Sequence, residues 1–189
     1  MAHAPANASR LKELLAEMQG GLGGRISERS TCTFNSPACK FRAVTHPSTY
    51  PRSPKTLLGG IAHLARFIDK IRMRNAGLIQ DYNYITVGFD KHLIDFLKID
   101  AKAFEARVLA GGSDQDFLAW VQLHGESRSQ EEIAQWNDML LSSKPKDDAA
   151  RQRFQGRLQD IAAKRGVPVG ALPSISTWTE VIELDEGRL

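Results

Sequence analysis

The stretch PRSPKTLLGGIAHLARFIDKIRMRNAG, residues 51 to 77, constrains the fold of this chain more than any other. Leu57, Ile61, Leu64, Ile68 and Ile71 recur at spacings of three and four, which lays one apolar stripe along a helix and requires neighbours to cover it. Both ends carry helix-limiting residues. Ser53 can accept a backbone N–H as N-cap, Pro54 suits the first helical position, where no amide hydrogen is needed, and Gly77 can take the left-handed C-terminal conformation. The pattern therefore predicts one long helix across the stretch, with the rest of the chain packed around it.

Two features exceed a plain core helix. Gly59 and Gly60 would sit in its second turn, where each costs about 1 kcal/mol relative to alanine, so either a second helix or a ligand is expected close by. Arg66, Asp69, Lys70 and Met73 share one face beside the apolar stripe. One reading of them is an intrahelical ion pair on a solvated edge. The other is a basic corner for a carboxylate or phosphate, built from Arg66, Lys70 and the preceding Arg52, with Asp69 orienting one of the cations. A helix N-terminus near Arg52 would favour the same anion.

The chain of 189 residues suits one domain with a real core plus a tail. No run approaches the eighteen or so apolar residues of a membrane span, and MAHAPANASRLKELLAEM lacks the apolar core of a secretory signal. A soluble cytoplasmic protein is expected, with no membrane partner. Cys32 and Cys39 both precede residue 50, so disulfides are not expected to hold the fold, and no nearby second pair supports a zinc site. The net charge is +3, and residues 1 to 50 account for it, with six Lys/Arg against three Glu. The remainder is neutral, which argues against a nucleic-acid partner.

Residues 1 to 49 hold one short helical pattern, Arg10 to Gln19, then the breaker GGLGG and a Ser/Thr/Pro/Arg-rich run without periodicity. A flexible tail, a targeting extension and a misassigned start all fit. The domain proper is expected over 50–189. After Gly77, Tyr82, Tyr84 and Thr86 alternate with polar neighbours and Ile85, which fits a short extended segment near 80–87 with both tyrosines on one side. They read either as an amphipathic wall or as phenols lining a pocket opposite Arg66 and Lys70.

Helix signals then follow in succession: Asp90 to Leu97, a helix capped by Asp100, another capped by Ser113, the capping-box sequence Ser129-Gln130-Glu131-Glu132, and an amphipathic run from Asp148 to Arg165 ending at Gly166. The segment TEVIEL near the C-terminus is expected to include a short extended piece. The fold class is mostly α, a compact single-domain bundle of about six helices joined by short loops. His63, His92 and His124 show no His-x-x-x-His or Glu-x-x-His spacing, so no metal site is expected. No GxSxG, P-loop or GxGxxG after a strand occurs either, so catalytic residues and cofactors stay unassigned.

The succession PRSPKTLLGG, ARFIDKIR, Asn75-Ala76-Gly77, YNY, FDKHLIDFLKIDAKAF, GGSDQDFLAWV, SRSQEEIAQW and TWTEVIELDEGRL resembles the bacterial family known as domain of unknown function 5069. The likeness runs from about Tyr50 to the C-terminus. It implies a compact, mostly helical cytoplasmic protein, with no settled activity. The family's motif positions fall on Arg52, Ser53, Gly59, Gly60, Arg66, Asp69, Lys70, Gly77, Tyr82, Asp90, Trp120, Arg128 and Trp136. Before Arg128 this chain reads GES where the resemblance leads one to expect a lysine-proline pair.

Two functions are compatible with these residues. One is a small-molecule binding protein or enzyme with a pocket for an anionic metabolite, built from Arg52, Arg66, Asp69, Lys70, Tyr82 and Tyr84. The other is a protein–protein interaction module using exposed aromatic surface near Trp120, Trp136 or Trp178. Sequence sets neither the ligand nor the oligomeric state.

Overall fold

A computed structural model describes residues 49–189. The readings of the N-terminal tail and of a helix at Arg10 to Gln19 lie outside the described residues. Those residues form a mostly helical domain: α1 (Leu64–Asn75), α2 (Gly88–Leu97), α3 (Ala101–Leu109), α4 (Asp114–His124), α5 (Gln130–Leu141), α6 (Asp148–Arg165), a single 3-10 turn (Val169–Ala171) and α7 (Trp178–Asp185). No strand occurs among them.

The predicted long helix is half helix and half turn. Its C-terminal part ends as expected, with Gly77 at φ 76° and the Leu78 N–H bonded back to the Met73 carbonyl at 2.9 Å. Its N-terminal part is not helical, because Gly59 and Gly60 adopt φ of 59° and 81° and turn the chain sharply. Leu58 and Ile61 exchange backbone hydrogen bonds across that turn at 3.0 and 3.2 Å. The Asn137 side chain on α5 then holds the turn, accepting from the Ala62 N–H and donating to the Gly60 carbonyl, both at 2.8 Å. The neighbour that comes close to the glycine pair is thus α5 on one side and Leu118 of α4 on the other. A Cβ on Gly59 would lie 2.5 Å from Leu118 Cδ1.

Helix α1 is the central element. Its first eight residues, Leu64 through Ile71, are all buried, charged residues included. Ile61, Leu64, Ile68 and Ile71 face the core as the stripe predicts, whereas Leu57, on the turn, is exposed. Around α1 pack Leu93, Leu97, Phe104, Val108, Phe117, Val121, Trp136 and Leu140. Phe67 stacks on Phe104 at 5.6 Å and Phe96 on Trp136 at 4.9 Å, geometries that add to the area the rings bury. A smaller cluster, Phe154, Ile161, Val181 and Leu184, joins α6 to α7.

The local caps at Asp100, Ser113, Ser129 and Gly166 form where their sequences indicate, with full capping boxes at Ser113 and Ser129. Two expectations are corrected. Residues 80–87 are irregular and pair with nothing as a strand; Ile85 sits at φ 53° and breaks the alternation. TEVIEL is helical, because Thr177 and Glu180 form a third capping box that starts α7.

Candidate functional site

Burying α1 on all sides takes Arg66, Asp69 and Lys70 out of water, and each must find a partner or carry a large desolvation cost. Each finds a carboxylate or guanidinium from a distant segment. Arg66 forks onto Glu186 just after α7, with Nη1 to Oε2 at 2.9 Å and Nη2 to Oε1 at 2.5 Å, and Nη1 also donates to the Arg52 carbonyl at 2.9 Å. Arg188 adds a second guanidinium to Glu186 and another bond, 2.9 Å, to Glu183. The PRSP motif and the C-terminal residues therefore meet at one buried carboxylate.

Asp69 orients Arg52, receiving its Nε at 2.7 Å, its Nη2 at 2.9 Å and its backbone N–H at 3.0 Å. Asp114 takes the other side of the same guanidinium. Burial alone would lower the Arg52 pKa, but the two carboxylates outweigh it and hold the group above its ordinary value.

Lys70 bonds to Asp90 Oδ2 at 2.5 Å, and His63 Nε2 lies 2.9 Å from Asp90 Oδ1. The three side chains form a continuous chain, histidine to carboxylate to ammonium, in which every member is buried. Burial depresses the His63 pKa against the opposing pull of Asp90, and likewise depresses that of Lys70. Burial acts the other way on Asp90, yet its hydrogen bonds and charge contacts with His63 and Lys70 leave its pKa lowered. At neutral pH the carboxylate is ionised and the imidazole neutral. An ionised carboxylate only accepts, so the His63 proton sits on Nε2 and Nδ1 carries a lone pair. Nδ1 is buried and has no hydrogen-bond partner among the described residues.

His63 is also the N-cap position of α1, at φ 71°, and does not use its side chain for capping. A left-handed histidine is uncommon, and such backbone strain persists only where the surroundings hold it. Phe89 meets the ring edge-on at 5.7 Å between centroids.

A cavity of about 390 Å³ opens beside this network, within the range of small-molecule sites. His63, Arg66, Lys70 and Asp90 form one wall; Tyr82 and Phe89 belong to the loop and helix before and around Asp90; Arg157, Lys164 and Trp178 come from α6 and α7. Of the six residues singled out by sequence, Arg66, Lys70 and Tyr82 line this cavity, while Arg52, Asp69 and Tyr84 do not. Tyr82 donates to Glu186 at 2.9 Å and Tyr84 to Glu105 at 2.5 Å, so the phenols diverge, one to the residue after α7 and the other to α3. Burial and the adjacent carboxylates raise both phenol pKa values.

Sequence reasoning missed His63, Arg157 and Glu186 as cavity residues. Asp90 carried a signal as a motif position, but the Tyr82 and Arg66 partners of Glu186 are 104 and 120 residues away, beyond any local spacing rule. Among the described residues, no three His, Cys, Asp or Glu side chains are grouped to hold a metal ion, and no helix is long and apolar enough to cross a membrane.

Compared with protein families, residues 48–188 match the family described as Domain of unknown function (DUF5069). No curated protein matches the chain.

Proposed function

We propose that this chain, which belongs to the DUF5069 family, binds a small anionic metabolite in the cavity between α1, the 78–90 segment, α6 and α7. The observation that carries the reading is Arg157: it lines the cavity, it is exposed, and it makes no ion pair with any described residue. The deeper cations, Arg66 and Lys70, are neutralised by Glu186 and Asp90, and Lys164 is paired with Asp185 at 2.9 Å. Arg157 is therefore the guanidinium with the most to gain from an incoming carboxylate or phosphate. Tyr82, Phe89 and Trp178 offer apolar surface for the body of such a ligand. A cytoplasmic location suits this function.

The competing reading, a docking surface built on aromatic residues, has weaker support. Trp136 is buried and donates to the Ala62 carbonyl at 3.1 Å, and Trp120 is stacked against His124 at 4.3 Å.

A thermal-shift screen with mono- and dicarboxylates, aromatic acids and phosphate esters tests the proposal, using the wild type and Arg157→Ala. A ligand at a hundred times its Kd adds about 2.7 kcal/mol of stability. At least one anion should raise the wild-type Tm and lose most of that effect in Arg157→Ala. Hits that act equally on both proteins, or no anionic hit at all, would remove the proposal.

A further inference from the structure

The network beside the cavity contains one polar atom that the fold leaves without work. His63 Nε2 is committed to Asp90, and Asp90 to Lys70, whereas Nδ1 is buried without a described partner and its residue lines the cavity. Leaving a buried acceptor unsatisfied is costly, and the left-handed backbone at the same residue adds strain. A leucine at this position would leave no acceptor unsatisfied. Both costs fall on the one histidine among the described residues that a carboxylate holds in a defined tautomer, which is how general bases are arranged.

We propose that His63 is the proton acceptor of this cavity, with Nδ1 taking a hydrogen bond or a proton from an O–H or N–H group of a ligand whose anionic end is held elsewhere in the cavity. The inference rests on the cavity reading above and narrows the ligand class to carboxylates or phosphates that also carry a hydroxyl or amine. In the proton-transfer step the ligand's O–H or N–H bond breaks, its electron pair stays on oxygen or nitrogen, and the proton goes to Nδ1. The resulting imidazolium keeps its Nε2–H on Asp90. The charged groups facing the ring are Asp90 from α2, which favours the imidazolium, and Lys70 and Arg66 from α1, which oppose it. Asp90 is the positioning residue, since it acts on the ligand only through the imidazole.

Two measurements on the full chain test this without a known ligand. The first is nitrogen-15 NMR of the imidazoles, with His63→Gln as the assignment blank. It should show His63 protonated at Nε2 and bare at Nδ1 at neutral pH. The second is alkylation by bromoacetate and by neutral bromoacetamide, mapped by peptide mass spectrometry. In that step Nδ1 bonds to the reagent carbon and bromide leaves. Modification of His63 should fall on Nδ1, because Nε2 is engaged by Asp90. A proton on Nδ1, or a His63 adduct carried on Nε2, would overturn the inference. The Arg157→Ala variant separates the two readings: slower bromoacetate but unchanged bromoacetamide reaction supports the anion site, whereas equal rates with both reagents remove the anion site and leave His63 as proton acceptor intact.

Discussion

Arg66 and Glu186, 120 residues apart, join through two parallel hydrogen bonds in the interior, and this pair closes the C-terminal end of the chain onto the central helix. Both side chains are nearly inaccessible to solvent. Such a pair contributes little net stability as a whole, but removing one member leaves an uncompensated buried charge.

Glu186→Ala is therefore expected to lower the unfolding free energy by about 3–5 kcal/mol in urea titration. Arg66→Ala should cost a comparable amount, and the double variant should cost clearly less than the sum. Single losses below about 1 kcal/mol would mean that water replaces the missing partner.

The Gly59-Gly60 turn separates a backbone effect from a packing effect. Both residues have positive φ, so alanine at either is strained by about 1–2 kcal/mol. Only at Gly59 would the new Cβ also collide with Leu118, since at Gly60 the nearest atom is 3.9 Å away. Gly59→Ala should be the more destabilising by at least ~1 kcal/mol, the usual lower end for overpacking, and chemical denaturation of the two variants checks the difference.

Stability should also fall on mild acidification. The folded-state pKa of His63 lies below its ordinary 6.5, so between the two values the unfolded chain binds a proton that the folded chain does not. The slope of stability against pH is then positive, at most about 1.4 kcal/mol per pH unit for one group, and the contribution is lost as pH drops below 6.5 toward the folded value. Unfolding measured from pH 7 down to pH 5 should show this loss in the wild type, with a shallower slope in His63→Gln. Identical slopes would place the proton uptake on another group.

Asn137 joins α5 to the turn before α1 through two hydrogen bonds. Asn137→Ala leaves the Ala62 N–H and the Gly60 carbonyl without these partners, and a loss of about 1–3 kcal/mol is expected. Hydrogen exchange at Ala62 should accelerate along with it. If exchange there stays unchanged, the turn is held by Trp136 and the Leu58–Ile61 pairing instead.

What could be read along the chain was whatever has its cause within a few residues. Ser113 and Ser129 start their helices and Gly166 ends its own because their hydrogen-bond partners lie three or four positions away, and Leu64, Ile68 and Ile71 share a face by helical geometry alone. Even the error at TEVIEL was local, since Thr177 and Glu180 have capping-box spacing. The failure at residues 53–63 has a different origin: the periodicity of Leu57 and Ile61 is compatible with a helix, but Gly59 and Gly60 permit a turn, and contacts with the distant Leu118 and Asn137 hold it. The same holds for the charges. Spacing places Arg66, Asp69 and Lys70 on one helix, but it does not say whether that helix is covered on every side. Once tertiary packing buries it, desolvation forces each charge onto a carboxylate or guanidinium from another segment, and His63 Nδ1 is left buried without a hydrogen-bond partner among the described residues.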